Sequence, residues 1–216
     1  MIKVLVVDDH DLVRAGISRM LSDDRDIQVV GQAESGEEAI EKVRQTSPDV
    51  VLMDLRMPGI GGLEAIRRIL RNHDETRVVA VTACADGPYP ARVMQAGAHA
   101  YITKGADMAE MLRAIRRVNA GQRYISPEIA QHVALSKFGE NGDLQSQFDG
   151  LSERELQIAT MIVNCQKVQE ISDKLCLSPK TVNSYRYRIF DKLGISSDVE
   201  LVLKAVKTGL LDANEV

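Results

Sequence analysis

Two adjacent acids, Asp8 and Asp9, follow the apolar run Lys3–Val7, and a third, Asp54, follows the run Asp49–Met53. Thr82 closes a further run, Arg77–Thr82, and Lys104 follows Ala100–Thr103. Such short, Val- and Ile-rich runs followed by turn signals read as strands. In a parallel sheet covered on both faces, ligands bind beyond the C-terminal strand ends, where all five residues would lie. Three converging carboxylates repel one another unless a cation neutralises them. A hard, oxygen-seeking ion such as Mg²⁺ suits them, with coordination positions left for water and phosphate. A carboxylate can attack phosphorus and form an acyl phosphate. Thr82 offers a hydroxyl, and Lys104 offers a compact positive charge to the phosphoryl oxygens. The spacing therefore predicts phosphoryl uptake by a carboxylate of this cluster, which Asp54 shares with Asp8 and Asp9. Asp11, by contrast, reads as an acid at a helix start.

The elements that must position these groups alternate along residues 1–120. Strand-like runs, which also include Ile27–Ala33, are separated by stretches of helical spacing such as Leu12, Val13, Ile17, Met20 and Leu21. Met108, Met111, Leu112 and Ile115 mark a fifth helix. Five β-α units imply an α/β domain, a five-stranded parallel doubly wound sheet of the flavodoxin-like kind. Residues 121–150 break the pattern. Ser126-Pro127 and Gly139-Glu140-Asn141-Gly142-Asp143 read as a linker, helical at most over Pro127–Lys137.

Residues 151–216 show only helical spacing and predict an all-α, four-helix domain. Ser152 and Glu155 form a capping box, flanked by Leu151 and Leu156 as a hydrophobic staple. Val168, Ile171 and Leu175 space a short second helix. Leu177-Ser178-Pro179 then supplies a turn, an N-cap and a proline at the first helical position. The third helix, Pro179 to Leu193, turns Val182, Tyr185, Ile189 and Leu193 inward. Lys180, Ser184, Tyr187, Arg188 and Asp191 lie opposite, with Thr181 and Asn183 near the edges. A short helix, a tight turn and a polar, basic second helix suit insertion into the major groove of double-stranded DNA. Ser197-Asp198 caps a fourth helix that Gly209 ends. Leu201, Val202, Ala205 and Val206 make it apolar over more than one face, so a dimer contact is expected there.

Charge agrees with this division. The net charge of −4 resides wholly in the first 150 residues, while residues 151–216 carry nine basic and nine acidic side chains. Within them Lys180, Arg186, Arg188 and Lys192 form a basic strip opposed only by Asp191, a better nucleic-acid signal than overall charge. Hydrophobic residues make up 44% and charged residues 27%, which fits an ordinary globular chain. No run is long and apolar enough for a membrane span, and Met1–Val7 leads into acids without a cleavage pattern. Cys84, Cys165 and Cys176 form no paired or zinc-binding pattern. A cytoplasmic protein with reduced cysteines and no membrane insertion is expected.

Val6-Val7-Asp8-Asp9-His10, Pro48 to Gly59 and Gly97 to Lys104 closely resemble a bacterial response-regulator receiver domain. The resemblance implies strand order 2-1-3-4-5 and a sensor histidine kinase as phosphoryl donor. It implies that Asp54 accepts the phosphoryl group, and that Mg²⁺ is held by Asp9, Asp54 and the Arg56 carbonyl, with Asp8 assisting through water. Thr82, Ala83 and Lys104 would meet the phosphate, and Tyr101 would turn inward as Thr82 moves. Ala100 departs from the glycine common there. Residues 151–216 resemble the LuxR/FixJ-type helix-turn-helix through Ser152–Glu155, Glu170–Leu175, Leu177–Val182 and Lys192–Ile195. Asn164-Cys165-Gln166-Lys167-Val168 replaces the Gly-x-Ser-Asn-Lys common before the scaffold helix. Thr181 to Phe190 resembles the GacA/UvrY (SirA) group, implying control of small regulatory RNA genes. The implied protein is not an enzyme beyond slow self-dephosphorylation. Two other readings stay open at this level. Turnover of small phosphate esters would mark a phosphohydrolase, and salt-independent binding without a DNA footprint would mark a protein-binding module.

Overall fold

The computed structural model describes residues 1–82, 89–127, 129–131, 148, 150–175 and 177–207. They divide into two compact units, the first reaching Ala130 and the second starting at Gln131.

The first unit alternates strands and helices. They run β1 Ile2–Val7, α1 Asp11–Ser22, β2 Ile27–Ala33, α2 Gly36–Thr46, β3 Val50–Asp54, α3 Gly61–Asn72, β4 Arg77–Thr82, α4 Tyr89–Gln95, β5 Ala100–Thr103, α5 Met108–Asn119 and β6 Tyr124–Ile125. All strand pairs are parallel, in the order β2-β1-β3-β4-β5-β6. Successive residues of the central strands alternate between two buried faces. Val4, Val6, Val50, Leu52, Val79 and Val81 pack with Ile17 and Leu21 of α1 and with Met111, Ala114, Ile115 and Val118 of α5. The alternate residues, such as Leu5, Val51 and Met53, are equally buried, as are Val43 of α2 and Ile66 and Ile69 of α3. Burial on both faces is why these strands read as unbroken apolar runs.

The sheet has six strands rather than the five expected. Ala100 pairs with Tyr124 and Tyr101 with Ile125. A two-residue strand carries no periodic signal, and its place is set by the return of the chain from α5. The sixth strand lies beyond residue 120, and the first unit continues to Ala130, where Ile129 is fully buried. Pro127 and Ile129–Gln131 are helical; the rest of the helix expected over Pro127–Lys137 lies outside the described residues, as do Cys84, Cys176 and Gly209.

The second unit has four helices: α6 Glu153–Val163, α7 Val168–Leu175, α8 Pro179–Leu193 and α9 Asp198–Lys207. The capping box is formed, since the Ser152 N–H donates to Glu155 Oε2 at 2.7 Å and Ser152 Oγ accepts from the Glu155 N–H. Leu151 and Leu156 are both buried beside it. Burial alone would raise the Glu155 carboxyl, but Lys192, 2.6 Å away, and the Ser152 donors hold it below its ordinary value. Ser178 caps α8 through the Thr181 N–H, and Ser197 caps α9 through the Glu200 N–H.

Cys165 closes α6 at φ 57°, a left-handed conformation that a side chain disfavours. Relief of that strain, worth about 1–2 kcal/mol, is partly offset by the greater backbone entropy glycine loses on folding. Cys165→Gly is therefore expected to stabilise the second unit by about 0.5–1 kcal/mol. The urea midpoint of the helical transition checks this, and an unchanged or lower midpoint contradicts it.

Candidate functional site

β1 and β3 are adjacent, with Val7 beside Met53, so their C-terminal ends bring Asp8 and Asp9 to Asp54. Asp8 and Asp54 are both 2% exposed. Carboxylates this deep need partners, and the structure supplies them. Lys104 Nζ lies 2.6 Å from Asp8 Oδ2 and donates to Asp54 Oδ2 at 2.7 Å. The His10 N–H donates to Asp8 Oδ1, and the Arg56 N–H donates to Asp54 Oδ1 at 3.1 Å. Burial pushes the Asp54 carboxyl above its ordinary range, partly offset by Lys104 and the Arg56 N–H, with the Asp8 charge adding to the rise. Burial alone would lower the Lys104 ammonium, but its hydrogen bonds to Asp54 and Asp8 carry it above its ordinary value.

Lys104 is placed by backbone as well as by charge: its N–H donates to the Thr82 carbonyl at 2.7 Å. Thr82 is the last residue of β4, buried, and paired with Thr103. Tyr101 lies on β5 and is fully buried. Arg56 has an exposed side chain, so its link to the pocket is the backbone next to Asp54. Ala83 lies outside the described residues.

The pocket fits a divalent cation. Ligand atoms of Asp8, Asp9, His10 and Asp54 lie within 4.8 Å of one another. Asp9 Oδ1 is buried and, although 2.8 Å from His10 Nδ1, takes no aligned hydrogen bond. A carboxylate oxygen left this way among further carboxylates is an open ligand position for a hard ion.

Sequence reading missed the glycines that let α3 approach. A Cβ on Gly62 would stand 2.0 Å from the Asp54 carbonyl oxygen and 2.7 Å from Leu55 Cα. The Gly62 N–H donates to the Leu55 carbonyl at 3.1 Å. Gly59, at φ 77°, leaves room for Glu37, whose Oε1 accepts from the Ile60 N–H. The β3–α3 loop is thus fastened at both ends around Asp54.

On the second unit, α8 buries Val182, Ile189, Phe190 and Leu193. Lys180, Ser184, Tyr187 and Arg188 are exposed, while Thr181 and Asn183 are half-buried. Ser184 Oγ donates to the Lys180 carbonyl, and the Arg188 guanidinium stands 5.7 Å from the centre of the Tyr185 ring. The basic strip is narrower than its composition suggests. Arg186 donates to Asp198 through Nε and Nη2 and lies 5.5 Å from the Phe190 ring centre. Lys192 pairs with Glu155. Lys180 and Arg188 carry the outward charge of the strip.

The expected dimer contact also changes. Leu201 and Ala205 are fully buried, on the side of the helix that packs against α6. Val202 and Val206 are half-buried, and Val199 and Leu203 are 69% and 55% exposed. These four make the outward apolar stripe of α9, at helical spacing i, i+3, i+4 and i+7.

A carboxylate-and-lysine pocket at the strand ends, together with a four-helix unit containing a proline-started polar helix, defines a response regulator with a helix-turn-helix unit. Comparison agrees: residues 4–116 match the response regulator receiver domain, and residues 149–205 match bacterial regulatory proteins of the luxR family. The chain belongs to the response regulators with a LuxR-type DNA-binding domain, and it acts in phosphorylation-dependent control of transcription.

It is 67% identical over 214 residues to the response regulator GacA of Pseudomonas syringae pv. syringae, covering 99% of this chain and 100% of that one. It is 55% identical over 213 residues to the response regulator UvrY of Escherichia coli, covering 99% and 97%. Among solved structures, a LuxR-family response regulator from Aurantimonas sp. superposes with TM-score 0.62 at 37% identity, covering 64% of this chain and 99% of that one. The RcsB response regulator, solved in complex with DNA, gives TM-score 0.60 at 22% identity, covering 95% and 98%. Among the described residues no helix is long and apolar enough to cross a membrane.

Proposed function

We propose that Asp54 accepts a phosphoryl group from a phosphohistidine of a sensor kinase, and that this controls binding of α8 to promoter DNA. The observation that carries this reading is Lys104 bridging Asp8 and Asp54 at 2.6 and 2.7 Å, beside an Asp9 oxygen that takes no aligned hydrogen bond. An Asp54 carboxylate oxygen attacks phosphorus, the P–N bond breaks, and the leaving imidazole takes a proton. Asp8, Asp9, Asp54 and the Arg56 carbonyl would hold Mg²⁺, which when bound offsets negative charge on the transferring phosphoryl oxygens. Lys104 moves from the carboxylates to a phosphoryl oxygen. The hydroxyl of Thr82 and the backbone of Ala83 meet the phosphate, and Tyr101 reports the shift on β5. The chain itself turns over no external substrate and works in the cytoplasm.

Lys180, Thr181, Asn183, Ser184, Tyr187 and Arg188 form the DNA face. Two copies pair on a two-fold site through Val199, Val202, Leu203 and Val206. The promoters include those of small regulatory RNA genes, as likeness to GacA and UvrY supports. Genomic footprinting with and without acetyl phosphate tests the whole reading, and protection that ignores acetyl phosphate contradicts it.

The paired and unpaired cations give a sharper test. Each phosphate contact contributes about −0.9 to the slope of log affinity against log salt. Lys180→Ala and Arg188→Ala are each expected to reduce that slope by about 1 per subunit. Arg186→Ala should leave the slope unchanged, because its guanidinium is committed to Asp198. Fluorescence anisotropy across about 50–200 mM salt separates these outcomes.

A further inference from the structure

We infer that Arg14 is a positioning residue for the cation pocket, acting through the Asp8 backbone. This rests on the reading of Asp8, Asp9 and Asp54 as the divalent-ion site.

Arg14 lies in the first turns of α1, where a long cationic side chain usually extends into water. Here it is only 13% exposed. Its Nη1 donates to the Asp8 carbonyl at 2.6 Å, and its Nη2 pairs with Asp11. The Asp8 N–H is already bound to the Ala33 carbonyl at 3.1 Å, which ends the β1–β2 ladder. The Asp8–Asp9 peptide therefore leaves the sheet with its oxygen tied to the guanidinium. Rotation of that peptide plane would swing the Asp9 carboxylate away from Asp54. Asp9 Oδ1 takes no aligned hydrogen bond, and its neighbour His10 Nδ1, at 2.8 Å, belongs to a side chain that is itself 67% exposed. The Arg14 clamp thus sets the one pocket carboxylate that Lys104 does not hold.

Two effects of the guanidinium oppose each other. As a positive charge near the pocket it competes with a metal ion, whereas as a clamp it organises the ligands. A charge separated from the ion by a peptide group is partly screened, while the loss of ligand order is felt directly. Partners behind metal ligands are worth about 10- to 100-fold in affinity. The clamp therefore dominates, and Arg14→Ala is expected to weaken Mg²⁺ binding about tenfold. Arg14→Lys keeps one donor and should recover most of that loss.

The test is calorimetric titration of the full chain with MgCl₂, alongside thermal unfolding without Mg²⁺ to check the fold. If Arg14→Ala does not fold, Arg14→Gln replaces it, being too short to span to the Asp8 carbonyl, with the same weakening expected. Labelling by acetyl phosphate should need more Mg²⁺ in the variant but approach the wild-type rate at saturation. Unchanged Mg²⁺ affinity in the variant overturns the inference. So does tighter binding, which would make Arg14 a competing charge. Failure of the wild-type chain to bind Mg²⁺ at all would instead count against the pocket as the metal site.

Discussion

Asp54→Asn is expected to reduce labelling by acetyl phosphate to background while the protein stays folded. An amide oxygen is not a competent nucleophile toward phosphorus, and no neighbouring acid has the same setting. Asp8 is fixed by Lys104 and the His10 N–H, and Asp9 Oδ1 lies against His10 Nδ1. The substitution also removes a buried charge. A carboxyl whose folded pKa lies above its ordinary value of 3.8 costs stability once pH exceeds that value, and the cost levels off above the folded pKa. Without Mg²⁺, Asp54→Asn should therefore match wild type near pH 3 and be more stable at neutral pH. Lys104 keeps Asp8 as its partner in the variant. Thermal unfolding at the two pH values, together with acid-quenched labelling, checks both halves. Undiminished label in Asp54→Asn would remove Asp54 from its role.

Gly62→Ala is expected to be nearly as damaging, although its side chain contains no functional group. Its added Cβ would meet the backbone of Asp54 itself at 2.0 and 2.9 Å, distances that no rotamer can relieve. Either α3 moves away from β3 or the acceptor carbonyl shifts. Overpacking at rigid backbone costs about 3 kcal/mol. A displacement of about 1 Å at a reacting group can cost about 100-fold in rate. Chemical denaturation followed by far-UV circular dichroism measures the first effect and the acetyl phosphate labelling rate the second. Wild-type behaviour in both would mean that the α3 approach is looser than its geometry implies.

These two residues also show how much can be read before the fold is known. Asp54 is legible because it ends a buried apolar run, and the same logic reaches Asp8, Asp9, Thr82 and Lys104. Gly62 is not legible, because Gly61-Gly62 in sequence looks like any turn before a helix. Its constraint comes from a neighbour eight residues earlier and appears only when α3 folds back. Arg14 is hidden for a related reason: an arginine one turn into a helix has the composition of a solvated face. Charge counting errs in the opposite direction at α8. Arg186 and Lys192 add to a basic strip in sequence, but Asp198 and Glu155 neutralise them in space. Leu201 and Ala205 mislead because a helix apolar on several faces does not declare which one its own unit covers. The capping box at Ser152 and Glu155 is the contrasting case, a contact local enough for spacing alone to determine.

The short sixth strand bears on how copies of this protein can meet. An open sheet exposes a row of unpaired N–H and C=O groups at each border, a template on which another chain can add. Here one border is closed by only two residues, Tyr124 and Ile125. The other, β2, shifts register between Val4 and Leu5 of its neighbour, which breaks the regular row of donors and acceptors. Neither border offers a long, flat seam for strand exchange. Association between copies is thereby left to helical surfaces, and the receiver sheet is guarded against runaway polymerisation.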